Sequence, residues 1–187
     1  GIAFITVSAA GENTIILDAG ANARVTGSHA AEAIGLEAGD VVVLQGEIPA
    51  ATNEEIIDWT HRAGARVVLN LAPVYAIAPQ VLDSVDVLVV NETECGLVLG
   101  SPAPGTPEEA LASAAALRER GIASVLVTLG AAGAVWACAE GSGHLPALDL
   151  GPVVDTTGAG DASVGVLAAA LAAGHDFASA VAEGMRA

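Results

Sequence analysis

Hydrophobic residues along this chain fall into two kinds of stretch that take turns. One kind is a continuous apolar block of strand length: "VVVLQG" (41–46), "ARVVLNLA" (65–72), "DVLVV" (86–90) and "SVLVTLG" (124–130). Such blocks are expected of parallel strands buried on both faces. The other kind is helical. "TNEEIIDWTHRAG" (52–64) predicts a helix with Thr52 or Asn53 as N-cap and Gly64 as its stop, and "TPEEALASAAALRERG" (106–121) one that opens on Thr-Pro-Glu-Glu and closes at Gly121. "APQVLDSV" (78–85) reads as a short helix, "ETECGLVLG" (92–100) as a helix start and "HAAEAIGLEAGD" (29–40) as weakly helical. "GAGDASVGVLAAALAAG" (158–174) and "DFASAVAEGMRA" (176–187) open two more, and "AGAVWACA" (132–139) predicts a strand antiparallel to the one before it. Ahead of all these, "IAFITVS" and "NTIILDA" flank "AAGEN", so residues 2–18 read as a hairpin.

Strands alternating with helices make βαβ units, and these predict an α/β fold whose parallel sheet is covered on both faces. Ligands of such sheets bind beyond the carboxyl ends of the strands. That rule singles out Glu47 after the first block, Asn91 after "DVLVV", Thr128 and Gly130 at the end of "SVLVTLG", and Asp155 before the glycine-rich helix entry.

Composition narrows the partners. The chain has 187 residues, 53% of them hydrophobic and only 15% charged, which suits one compact domain rather than a disordered segment. No apolar run reaches membrane-span length, so a cytoplasmic protein that engages no membrane is expected. Against 22 acidic residues stand six basic ones, all arginine, for a formal charge of −16. Nucleic-acid binding needs clustered cations, and this balance excludes it. An anionic ligand would have to be held by backbone N–H groups, a helix N-terminus or a metal. Cys95 and Cys138 lie far apart with no ligand-type spacing, and are expected to be buried free thiols. The chain starts on Gly1 and stops within a helical pattern, so a piece of a longer protein is expected.

The stretch "GPVVDTTGAGDASVG" (151–165) carries the candidate chemistry. A helix opening at "GAGD" points the N–H groups of Gly158, Ala159 and Gly160 into the space before it, where they and the helix dipole attract an anion. Neither common phosphate motif fits. GxGxxG fails because Ser163 stands at the third glycine, and GxxxxGK[ST] fails because the chain has no lysine. A carboxylate, Asp161, sits beside this anion site. It is either an ordinary first-turn acid or a base that takes a proton from a hydroxyl attacking phosphorus.

"DTTGAGD" (155–161) resembles the C-terminal signature of the ribokinase-like, phosphofructokinase-B-type carbohydrate kinases. "NETE" (91–94) is similar to the family's NxxE motif and "TLGAAG" (128–133) to its nucleotide-contacting strand end, while "GENTIILDAGANARV" (11–25) and "NLAP" (70–73) resemble its ribokinase branch. The resemblance runs in order along the whole chain. It implies a three-layer α/β sandwich with a remnant lid hairpin, divided as 1–22 (lid) and 23–187 (an incomplete nucleotide-binding and catalytic domain). It further implies ATP-dependent phosphorylation of a sugar's primary hydroxyl, D-ribose to D-ribose 5-phosphate. Asp161 would be the base, and the amides of Gly158, Ala159 and Gly160 would stabilise the transferred phosphoryl. Asn91, Thr128, Gly130, Gly133 and Gly160 would line ATP, Glu94 with Asn91 would hold a hydrated Mg²⁺, Asp155 and the Thr157 carbonyl would begin a monovalent-cation (K⁺) site, and Glu47 would contact the sugar. In the whole protein the lid would also support a homodimer.

Duller readings stay open: Glu94 as a solvated helix acid, Thr128 as a plain strand end, Glu47 as a loop acid and Asp155 as a turn residue. The family's N-terminal sugar motif, with its glycine pair and sugar-binding aspartate, is missing, as is the C-terminal remainder of the cation site and adenine pocket. The catalytic constellation is therefore present without much of the substrate site, and poor solubility is expected of the isolated chain. The alternatives are another sugar or nucleoside kinase of the family, or a nucleotide- or sugar-binding module without catalysis.

Overall fold

The structure, a computed structural model, describes residues 1–7, 13–33, 35–149, 151, 156 and 158–187. Two sheets are present among these residues. Strands β1 (Ile2–Val7) and β2 (Asn13–Asp18) form a two-stranded antiparallel ribbon, with Phe4 opposite Ile16. The main sheet has six strands in the order β3 (Val41–Gln45), β4 (Arg66–Asn70), β5 (Val87–Asn91), β6 (Ser124–Thr128), β7 (Ala134–Cys138) and β8 (Gly141–Leu145).

The first four strands of that sheet are parallel and appear in chain order. Right-handed crossovers between successive neighbours place every connecting helix on the same face. That face holds α1 (Gly27–Ala33), α2 (Ala50–Arg62), α3 (Pro79–Leu82), α4 (Glu92–Leu99) and α5 (Pro107–Glu119). Ile56, Ile57, Leu82, Cys95, Ala114 and Leu117 pack there against Leu69, Leu88, Val90, Val125 and Val127. The opposite face is covered by α6 (Ala159–Ala172) and α7 (Phe177–Gly184), whose Leu167, Leu171, Phe177 and Val181 meet Val68, Val87, Val89 and Leu126. Successive strand residues thus feed two cores in turn, because side chains alternate across a sheet. The Arg66 guanidinium donates to the Leu171 carbonyl and ties the start of β4 to the last turn of α6.

Chain connections explain the two antiparallel strands. Between β6 and β7 lies only a 3₁₀ turn, Gly130–Ala132, and between β7 and β8 a two-residue turn, both too short for a crossover. The expected parallel sheet thus carries an antiparallel edge, of which β7 runs against β6 as expected and β8 was not foreseen. The strand β8, "GSGHL", has no apolar pattern to announce it.

Two other expectations need correction. The helix predicted over 52–64 starts a turn earlier with Pro49 as N-cap, so Thr52 and Asn53 are buried inside its first turn. Thr52 Oγ1 donates to the Val25 carbonyl at 2.9 Å instead of capping. The weak helix over 29–40 is confined to Gly27–Ala33. Cys95 and Cys138 are buried free thiols, as expected. No helix among the described residues is long and apolar enough to cross a membrane.

Leu69 is wholly buried at the middle of β4, between α2 and the neighbouring strands. Leu69→Ala is expected to lower stability by about 2–5 kcal/mol, read from denaturant unfolding curves.

Candidate active site

Three neighbouring parallel strands end close to one another, β5 and β6 at the same level and β4 two residues short of it. Asn91, the last residue of β5, pairs in register with Thr128, the last of β6, and Asn70 ends β4 on the other side. Their polar side chains therefore meet at the carboxyl edge of the sheet, where an α/β fold binds its ligands.

Asn91 is also the N-cap of α4. Its Oδ1 accepts the Glu94 N–H at 2.8 Å, and Glu94 Oε2 accepts the Asn91 N–H at 2.8 Å. The Asn-x-x-Glu spacing is thus a reciprocal capping box, which satisfies two otherwise orphaned donors at once. It leaves Glu94 Oε1 without a protein donor among the described residues. Glu94 is half-buried, and desolvation pushes its carboxyl above the usual range. The Asn91 N–H partly offsets this, while the nearby Glu92 adds to it.

The glycine-rich helix entry closes the site from the other face of the sheet. Gly158 is the N-cap of α6, in the left-handed conformation (φ +77°) that a residue with a β-carbon resists. It supplies no side chain to cap the first-turn amides. The Ala159 N–H donates to the Thr156 carbonyl at 3.2 Å, whereas those of Gly158 and Gly160 meet no acceptor among the described residues. Asp161 follows in the first turn of α6 and is exposed.

A cavity of about 220 Å³ brings these groups together: Asn70, Asn91, Glu94, Thr128, Gly158, Gly160, Asp161 and Ser163 all line it. Gly130, Gly133 and Ala159 do not. Glu47 lines a separate cavity of about 350 Å³, between the ribbon and the sheet edge, with Asp18, Asn22 and Pro73. Ala72 borders the first cavity and Pro73 the second, so the two share a wall. Asp155 and Thr157 lie outside the described residues. A larger cavity, about 730 Å³, is apolar. Its one charged lining residue, Arg120, is occupied by the carbonyls of Val98 and Leu99, so it offers no comparable chemistry.

Sequence reasoning passed over Asn70 and Ser163. Asn70 stands inside the apolar block "ARVVLNLA", and the strand ends at it rather than at the end of the block, so the sequence pattern does not mark it as a strand end. Ser163 lies three residues after Gly160, on the same side of α6.

The residues present fit a magnesium ion. Among the described residues, Glu94 and Asp161 are the only carboxylates lining the cavity, and there is no cluster of three or more His, Cys, Asp or Glu able to hold a metal. Few protein ligands, with water and phosphate oxygens completing the shell, is how Mg²⁺ is commonly held.

The chain matches the pfkB family carbohydrate kinase model over residues 1–187, and it belongs to that family. It is 36% identical over 180 residues to a ribokinase of Staphylococcus aureus, covering 94% of this chain and 58% of that protein. To a deoxyribokinase of Salmonella typhi it is 35% identical over 176 residues, covering 90% and 55%. Its fold is similar to that of an Arabidopsis thaliana ribokinase solved with ribose and ATP, with TM-score 0.81, 28% identity, and coverage of 98% of this chain and 60% of that one. The chain thus spans a little over half the length of the curated relatives it matches. The likeness bears out the three-layer α/β sandwich expected above.

Because burial raises the Glu94 carboxyl, the folded state binds its proton more tightly than the unfolded state does. Its contribution to stability is present at low pH and is lost as pH rises from the ordinary glutamate value through the raised one. Glu94→Gln keeps the cap without that loss. In metal-free thermal melts of the whole protein, the melting temperature of the variant relative to wild type is expected to climb as pH rises above the ordinary glutamate range. A difference that stays flat with pH contradicts this account.

Proposed function

We propose that the whole protein carrying this chain transfers the γ-phosphoryl group of ATP to the primary hydroxyl of a sugar, D-ribose foremost, in the cytoplasm. One observation carries this reading: Asp161 lines the same small cavity as Gly158 and Gly160, whose amides meet no acceptor among the described residues, and the Asn91–Glu94 cap. A module that only bound an anion would gain nothing from a carboxylate there, since like charges repel. A base that deprotonates the attacking alcohol needs that place.

In the proposed step the sugar oxygen gives its proton to the Asp161 carboxylate and forms a bond to the γ-phosphorus. The bond from that phosphorus to its bridging oxygen breaks, and ADP leaves. The amides of Gly158 and Gly160 face the charge that develops on the phosphoryl oxygens. Ala159 joins them only if its bond to Thr156 gives way. Glu94, through its open oxygen, and the carboxamides of Asn70 and Asn91 would hold a hydrated Mg²⁺, which screens the triphosphate in a protein that has no lysine. Thr128, Gly130 and Gly133 sit at the β6 end where the nucleotide would lie, and Glu47 faces the cavity assigned to the sugar. Asp155 and Thr157 remain the proposed start of the K⁺ site.

The ribbon of residues 1–22 is read as the lid and as a self-association surface. Ile2, Phe4 and Ile16 on one of its faces, and Ile5 and Leu17 on the other, are all more than half exposed. A second reading, 2-deoxyribose as the acceptor, is favoured by the deoxyribokinase among the relatives. Comparing kcat/KM for the two sugars decides between them.

Asp161→Asn in the whole protein is expected to lower kcat by about 10² to 10⁴ while ATP binding, measured by calorimetry, is retained. Unchanged turnover would rule out Asp161 as the base.

A further inference from the structure

Asn53 is a fully buried carboxamide in the first turn of α2, and neither the capping of that helix nor the proposed phosphoryl transfer uses it. Its Nδ2 donates to the Gln45 carbonyl at 2.6 Å and to the Tyr75 hydroxyl at 3.1 Å, while Oδ1 is buried with no partner among the described residues. Burying an unpaired acceptor is unfavourable, and an apolar side chain of similar size would avoid it. The carboxamide therefore costs stability that its two donated bonds must justify.

Those bonds join the loops that leave β3 and β4. Gln45 is the last residue of β3, two before Glu47, and Tyr75 lies beyond the end of β4. The same loops touch a second time. The Gly46 N–H donates to the Ala72 carbonyl at 2.9 Å, and a β-carbon on Gly46 would collide with the Pro73 carbonyl. Gly46, Glu47 and Pro73 then line the cavity beneath the ribbon, where Asn22 Nδ2 reaches Glu47 Oε2 at 3.5 Å.

We propose that Asn53 is a positioning residue for Glu47. By clamping Gln45 and Tyr75 together from beneath, it fixes the backbone turn that aims the Glu47 carboxylate into the sugar cavity, and it touches no substrate itself. The inference rests on the reading of Glu47 as a sugar contact.

The test is steady-state kinetics of the whole protein with D-ribose and ATP. Asn53→Leu is expected to raise the KM for ribose about tenfold and to leave that for ATP within about twofold. Tyr75→Phe, which removes one of the two acceptors, is expected to raise the ribose KM about threefold. On a Glu47→Ala background, Asn53→Leu should change the ribose KM no further, since there is nothing left to aim. A ribose KM unmoved by Asn53→Leu, equal rises in both KM values, or full additivity with Glu47→Ala overturns the positioning role and leaves the kinase reading standing. If Asn53→Leu does not fold, Tyr75→Phe decides alone, and an unchanged ribose KM refutes the proposal. If Glu47→Ala spares the ribose KM while Asp161→Asn abolishes turnover, Glu47 is no sugar contact and the positioning role falls with it.

Discussion

Parallel pairing of β4, β5 and β6 in a common register is the constraint on which the rest of the molecule depends. It makes β5 and β6 stop level and β4 two residues short of them, so Asn70, Asn91 and Thr128 reach one cavity without any loop having to place them. It also obliges the chain to return by helices, and the one that starts at Asn91 brings its own N-terminus to the same edge. A slip of one residue would turn Val68, Leu88 and Leu126 each toward the wrong core, so the cores on either side of the sheet hold the register that the site needs.

Much of this was legible because burial on both faces demands continuous apolar blocks, and those of β3 to β6 are unmistakable. The missed or misplaced features all involve polar or small residues whose roles are settled by distant partners. Asn53 and Thr52 look like caps, but the extended Pro49 starts the helix sooner and the carbonyls of Gln45 and Val25 claim their side chains. "GSGHL" becomes a strand only because a two-residue turn folds it back onto β7. Of the residues that line the cavity, Asn91 and Thr128 follow from strand ends and Gly158, Gly160 and Asp161 from one glycine-rich turn, whereas Glu94 follows only from the NxxE resemblance. Asn70 was overlooked because Leu71 and Ala72 prolong its apolar block past the end of the strand, and Glu47 borders a neighbouring cavity rather than the central one.

Electrostatics sets the character of the site. With no lysine and six arginines in the chain, anionic groups must be met by amides and dipoles, and the carboxylates Glu94 and Asp161 stand beside those donors. Under the proposed function such a cavity would repel a bare polyanion and accept one escorted by a divalent cation. Selectivity for the complexed form then follows from charge balance as much as from shape.

The reciprocal cap at the head of α4 has a consequence for genetics. Asn91 and Glu94 each hold the other's backbone, so the protein has made one structural joint out of a pair that also lines the candidate site. Drift at either position would loosen the helix and the ligand site together, and a lineage that abandoned catalysis would still be under pressure to keep both residues for folding.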